Sequence, residues 1–328
     1  MSEAWPTALV LHPDCGRHDT GWSHPEHQGR LPAIVHAIYR ETPALLARVL
    51  QREGTPATRA QIARVHSPAH IDAVMATALE AERTGTSLRV DPDTVISGAS
   101  LDAALAAAGC VLDAVTLVRS READTAFALS RPPGHHALPG RAMGFCLFNS
   151  VAIAARTLQH EHGVRRVLIV DWDVHHGNGT QDIFYDDPDV YYLSLHQADQ
   201  YPGTGVESER GHGAGAGTTR NVVLSAGTPP SEYRRAYDDA LAAAFAEFTP
   251  EFVLVSAGFD CMRGDPLGGL LLEPDDLHAM TVGLCARTRA AGAGGPVLTL
   301  EGGYAPERTA AGVLAVFRAL AGLPPATV

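Results

Sequence analysis

Val167-Leu168-Ile169-Val170-Asp171-Trp172-Asp173-Val174-His175-His176-Gly177-Asn178-Gly179 is the stretch that decides the fold. Its first four residues are apolar and mostly β-branched, the signature of a strand buried on both faces. Such strands belong to parallel sheets, whose faces are covered by helices. The polar residues that follow mark the strand's carboxyl end. Side chains alternate along an extended chain, so Asp171, Asp173 and His175 leave it on one side. Unpaired buried charges are too costly to serve as packing residues. A divalent cation would satisfy all three; the alternative is a hydrogen-bonded polar cluster at a strand end.

Outward from this stretch, short apolar runs at 8–11, 125–129, 190–195, 252–257 and 296–300 read as further strands. Alanine-rich amphipathic segments at 100–118, 150–162, 231–248 and 273–291 read as helices between them. Alternating strands and helices predict a parallel sheet with helical crossovers on both faces. No repeat, low-complexity tract or long linker interrupts residues 1–328, which read as one α/β domain. Four strand candidates run into polar, glycine-rich segments: Arg131-Pro132-Pro133-Gly134-His135-His136-Ala137, the Asp/His cluster above, Ser256-Ala257-Gly258-Phe259-Asp260, and Glu301-Gly302-Gly303-Tyr304. Open α/β sheets bind ligands beyond the carboxyl ends of their strands, where all four segments fall.

Composition narrows the function. With 45% hydrophobic residues the chain can bury a large core. A net charge of −12, from 25 basic and 37 acidic residues, argues against direct binding to nucleic acid or an acidic membrane. It would suit a cationic substrate or partner. The five cysteines, Cys15, Cys110, Cys146, Cys261 and Cys285, form no CxxC pair, which excludes a disulfide framework and suits a reducing cytoplasm. Met1-Ser2-Glu3-Ala4-Trp5-Pro6 carries no basic region followed by an apolar run, so no signal peptide is expected. No uncharged apolar stretch reaches the ~18 residues of a membrane span.

These motifs together resemble the histone deacetylase family, particularly its class II branch and its bacterial relatives, among them acetylpolyamine amidohydrolases and acetoin-utilisation proteins. The resemblance runs from His24-Pro25-Glu26-His27-Gln28-Gly29-Arg30-Leu31 to Tyr304. It includes Gly144-Phe145-Cys146-Leu147-Phe148-Asn149, Ser194-Leu195-His196, Tyr201-Pro202-Gly203-Thr204-Gly205 and Gly264-Asp265-Pro266-Leu267-Gly268. It implies the arginase–deacetylase fold, a single domain with a mainly parallel sheet of about eight strands between helices. It places a catalytic Zn²⁺, for which Fe²⁺ could substitute, on Asp173, His175 and Asp260, a set that leaves one coordination position open. His136 becomes the main general base and acid, and His135 its electrostatic partner. Asp171 orients His135, and Asn178 orients His136. An amide stabilises an imidazolium less than a carboxylate does, which favours a base working near neutrality. Tyr304 would donate to the substrate carbonyl and to the oxyanion that develops from it.

The resemblance also implies a tunnel walled by Phe145 and Tyr201, with Gly144 and Gly303 contacting substrate. Leu267 stands where polyamine-selective relatives carry a glutamate, so a second substrate cation finds no partner there. Asp171, Ser194 and Leu195, with the carbonyls of Asp173 and His175, match a structural K⁺ site. The implied activity is hydrolysis of acyl-lysine amides in a protein or peptide, with acetylpolyamines or other small acyl-amines as the alternative. A non-catalytic acyl-group sensor would not need both histidines and Tyr304. A di-manganese ureohydrolase would need further acidic bridging ligands. Residues 12–29 read as a long entrance loop that could cap the site or meet another subunit of a homo-oligomer.

Overall fold

The sheet begins at β1 (Trp5–Leu11), and the chain returns to it as late as β10 (Gly294–Leu300). The computed structural model describes residues 5–41 and 45–326; residues 1–4, where no leader was read, lie outside the described residues. After β1 come α1 (Arg30–Arg40), β2 (Val49–Glu53), α2 (Arg59–Ile62), α3 (Pro68–Thr84) and a hairpin of β3 (Leu88–Arg89) and β4 (Val95–Ile96). The chain continues through α4 (Ser100–Arg119), β5 (Ala123–Ala128), α5 (Ser150–Glu161), β6 (Val167–Asp171), α6 (Asn178–Phe184), β7 (Val190–Gln197) and β8 (Thr219–Leu224). Then come α7 (Pro230–Phe248), β9 (Phe252–Ala257), α8 (Pro274–Ala290), β10 and α9 (Pro306–Leu320).

Eight strands form one sheet in the order β2-β1-β5-β10-β9-β6-β7-β8, every neighbouring pair parallel. This is the single-domain α/β architecture expected. Six of the strands were legible as apolar runs. The two that were not, β2 and β8, are the sheet's edges, and β8 leaves Arg220, Val222 and Val223 only partly buried. A strand wet on one side has no need of a continuous apolar run.

Helices α3, α4 and α5 pack as one layer, and α1, α9, α8 and α7 as another. By length and apolar composition α4 could cross a membrane, a property missed because Asp102 and Asp113 interrupt its sequence. Its apolar side chains instead lie in the core against β1, β5 and β10. Small residues bring it close. A side-chain carbon on Gly109 would stand 1.9 Å from the Thr55 carbonyl, so only glycine fits. The strands that matter for the site, β5, β10, β9 and β6, are consecutive in the middle of the sheet. All four polar segments therefore leave from one edge, side by side.

Candidate active site

Past β6 and β9 the chain brings Asp173, His175 and Asp260 together, all buried, with ligand atoms within 4.8 Å of one another. The first turn after β6 is fixed by its own carboxylates. Asp173 Oδ1 accepts the His175 amide at 2.9 Å and faces His175 Nδ1 at 3.0 Å; Asp260 Oδ1 accepts the Val174 amide at 2.9 Å. Asp260 Oδ2 stands 3.3 Å from His175 Nδ1 but has no hydrogen bond among the described residues. Burial, and then the nearby Asp173 charge, pushes the Asp260 carboxyl up to about 7. Two carboxylates and an imidazole facing a common point, with an orphaned oxygen among them, fit a divalent metal. Glycine shapes the wall of this cradle: a side-chain carbon on Gly302 would lie 2.0 Å from Asp260 Oδ2 and 2.6 Å from Asp173 Oδ2. Asp171, read first as a third member of the cluster, faces elsewhere, and Asp260 takes its place.

Asp171 Oδ2 pairs with His135 Nδ1 at 3.1 Å, and Asn178 Oδ1 with His136 Nδ1 at 2.8 Å. The two imidazoles lie 4.0 Å apart, centroid to centroid, yet their environments pull in opposite directions. Burial opposes charge on His135, but the carboxylates of Asp173 and Asp171 overcome it and hold its pKa up to about 10. Burial pushes His136 well below its ordinary value, and the positive charges of His135 and His175 push it further. Glu301, to which sequence reasoning gave no role, anchors the pair. Its Oε2 accepts the Gly134 and His135 amides at 2.7 and 3.2 Å, and its Oε1 accepts the Ser256 hydroxyl at 3.0 Å.

A cavity of about 190 Å³ leads to this cluster, lined by Asp93, His136, Gly144, Phe145, His175, Gln200, Tyr201, Leu267 and Tyr304. Phe145 meets Tyr304 edge-on at 5.6 Å, and Tyr201 meets His136 edge-on at 5.0 Å. Gly303 is not part of this lining; its carbonyl turns away to accept Arg30 Nε at 2.6 Å. Asp93 and Gln200 are additions. Gln200 ties the two rims by donating to the Leu267 carbonyl at 2.9 Å, and burial pushes Asp93 up to about 6. No residue of the loop at 12–29 lines the cavity; the loop packs against its wall from outside, where the His24 ring lies edge-on to Phe145 at 4.7 Å. Cys146 and Cys261 are buried, which raises both thiols and suits packing rather than nucleophilic chemistry. Ser194 sits beside Asp171 in the β6–β7 register, and Leu195 is buried next to it.

Behind the cavity a second buried cluster supports the Tyr304 loop. Glu26 Oε1 accepts from Arg30 at 2.9 Å and from Arg131 at 2.7 Å. Arg30 also donates to the Glu301 carbonyl at 2.5 Å, and its guanidinium lies 5.1 Å from the centre of the Tyr304 ring. Arg131 holds the entrance loop through the carbonyls of His18 and Glu26, at 2.7 and 2.9 Å. A larger cleft of about 450 Å³ at the opposite edge of the sheet, around Arg48, Asp124, Cys285 and Arg289, gathers no comparable set of buried ionisable groups among the described residues.

Fold and site define a class: a parallel-sheet α/β protein with an Asp/His/Asp ligand set, paired histidines and a tyrosine around a narrow cavity. Comparison with known proteins gives the family. The histone deacetylase domain matches residues 24–320, and the chain belongs to the histone deacetylase family. It is accordingly a deacetylase, of a family that depends on metal. It is 40% identical to "Histone deacetylase 10, chloroplastic" of Oryza sativa subsp. japonica over 92% of this chain and 70% of that one. It is 40% identical to human "Histone deacetylase 7", covering 90% of this chain but 33% of the relative. The crystal structure of the HDA15 HD domain superposes with a TM-score of 0.90 at 36% identity, over 100% of this chain and 91% of that chain.

Proposed function

We propose that the protein hydrolyses acetyl- or acyl-lysine amides with the help of one Zn²⁺ held by Asp173, His175 and Asp260. The observation that carries this reading is the cavity itself, which puts His136, His175 and Tyr304 at the end of a passage between Phe145 and Tyr201. Aromatic walls suit the methylene stem of a lysine, whose neutral amide needs no charged partner on the way in. When bound, the metal polarises the acyl carbonyl and acidifies a water. His136, orientated by Asn178 and kept neutral by its surroundings, takes the proton and later gives it to the leaving amine. His135, held by Asp171 and charged, supplies fixed positive charge beside the developing oxyanion. Tyr304 donates to that oxyanion. Fe²⁺ would suit the same donors. A K⁺ at Asp171, Ser194 and Leu195 would stiffen the β6–β7 edge. The five free cysteines fit the cytoplasmic location read from the sequence.

A second reading, a deacetylase of small acylated amines, is favoured by the Asp93 carboxylate at the cavity mouth, which could meet a distal ammonium. Leu267 opposes it, offering no charge on the other wall. Measuring kcat/KM for an acetyl-lysine peptide and for N-acetylputrescine on one preparation decides between them. The expected result is preference for the peptide. A wide margin for the polyamine would replace the first reading with the second.

A further inference from the structure

Asp171 serves more than His135. Its Oδ2 also accepts the Tyr192 hydroxyl at 2.9 Å, and its Oδ1 accepts the Asp173 amide at 3.1 Å. Tyr192 lies on β7, next to β6, with its side chain fully buried. A buried phenol must donate to something, and against a carboxylate it can only donate. The His135 Nδ1–H and the phenol O–H therefore converge on a single oxygen. Gly177 is what lets them. A side-chain carbon there would lie 2.4 Å from both Asp171 Oδ2 and the Tyr192 hydroxyl, and 3.0 Å from His135 Nδ1. Its φ of −75° is open to any residue, so the requirement is space and not backbone conformation.

We infer that Tyr192 is a positioning residue for the reaction. It pins the Asp171 oxygen against which His135 is aimed, and Gly177 keeps the three-way junction open. His135 Nε2 stands 3.9 Å from Asp173 Oδ1, so its ring orientation is read directly at the metal-ligand cluster. Without the phenol, Asp171 keeps a side-chain partner on one side only, and its carboxylate can rotate and carry the imidazole with it. The donor lost is a hydrogen bond to a charged group, worth about 10-fold at the lower end of the usual range.

The kinetic consequence rests on the deacylase reading; the geometric claim does not, and the test separates them. Tyr192→Phe should lower kcat on an acetyl-lysine peptide about 10-fold, with KM within about 2-fold of wild type. In a His135→Ala background the same change should cost nothing further, because its effect runs through His135. A phenol that merely fills the core would cost the same in both backgrounds, and that result would overturn the inference. Proton NMR supplies the readout independent of activity. The low-field imidazole N–H resonance that vanishes in His135→Ala should broaden or move upfield in Tyr192→Phe, since the carboxylate that holds the imidazole is no longer pinned. An unmoved, equally sharp resonance would overturn the inference even in a protein that fails to cleave acyl-lysine. Gly177→Ala, whose added carbon would push the Asp171 oxygen and the Tyr192 hydroxyl apart, should lower kcat in the same way while both hydrogen-bonding groups remain present. If that variant does not fold, Tyr192→Phe still decides.

Discussion

Two buried charge clusters flank the short strip Glu301-Gly302-Gly303, and they are built on opposite rules. On one side Arg30 and Arg131 share Glu26, and Arg30 grips the carbonyls of Glu301 and Gly303. On the other side the Gly302 amide donates to Asp173 Oδ2 at 2.8 Å, and beyond it lie Asp260 and His175. The arginine cluster carries its countercharge within the protein and spends its remaining donors on backbone carbonyls. Among the described residues the aspartate cluster hydrogen-bonds to no arginine or lysine; Asp260 Oδ2 and Glu26 Oε2 both lack a hydrogen bond, but only the glutamate has guanidiniums on its other oxygen. Burying a charge is tolerated when a partner is built in, and otherwise implies a partner from outside. The first cluster is therefore scaffold, and the second is a binding site.

On that division, substitutions around the aspartate cluster should remove turnover and spare the fold, and those in the arginine cluster should lower stability and spare the metal site. His136→Ala should lower kcat by ~10²–10⁴-fold, the usual range for a lost general acid–base, while metal content stays at the wild-type level. His135→Ala should retain more activity; equal, near-wild-type rates in both variants would contradict the roles given them. Tyr304→Phe should lower kcat by ~10²–10³-fold with KM almost unchanged, because its hydrogen bond strengthens only as charge develops. Steady-state kinetics reads both. Glu26→Gln leaves two buried guanidiniums without their anion and should cost ~3–5 kcal/mol in a denaturant titration, with metal stoichiometry unaltered. A Glu26→Gln protein as stable as wild type would remove the contrast between the clusters.

How much of this was legible beforehand follows the same physics. The strand at 167–171 and its neighbours announce themselves because strands buried on both faces must be continuously apolar. The edges β2 and β8, half wet, do not. The ligands and histidines were readable because each sits directly after a strand. The residues that hold them were not. Glu26 meets Arg131 across 105 positions, and Arg30 meets Gly303 across 273, with no local pattern to advertise either pairing. Glu301 looked like the first residue of a glycine turn, and Tyr192 like one more aromatic in a strand. Only the parallel packing of β5, β10, β9 and β6 turns these distant positions into neighbours.

The central claim is that Asp173, His175 and Asp260 form a metal site on which catalysis depends. The most direct test is metal analysis by mass spectrometry on purified wild type and Asp260→Ala, with turnover of an acetyl-lysine peptide measured on the same samples. Wild type should carry one divalent ion per chain and turn over the peptide. Asp260→Ala should keep its fold by circular dichroism, lose the ion and lose turnover. A folded, metal-free Asp260→Ala protein working at the wild-type rate would contradict the account.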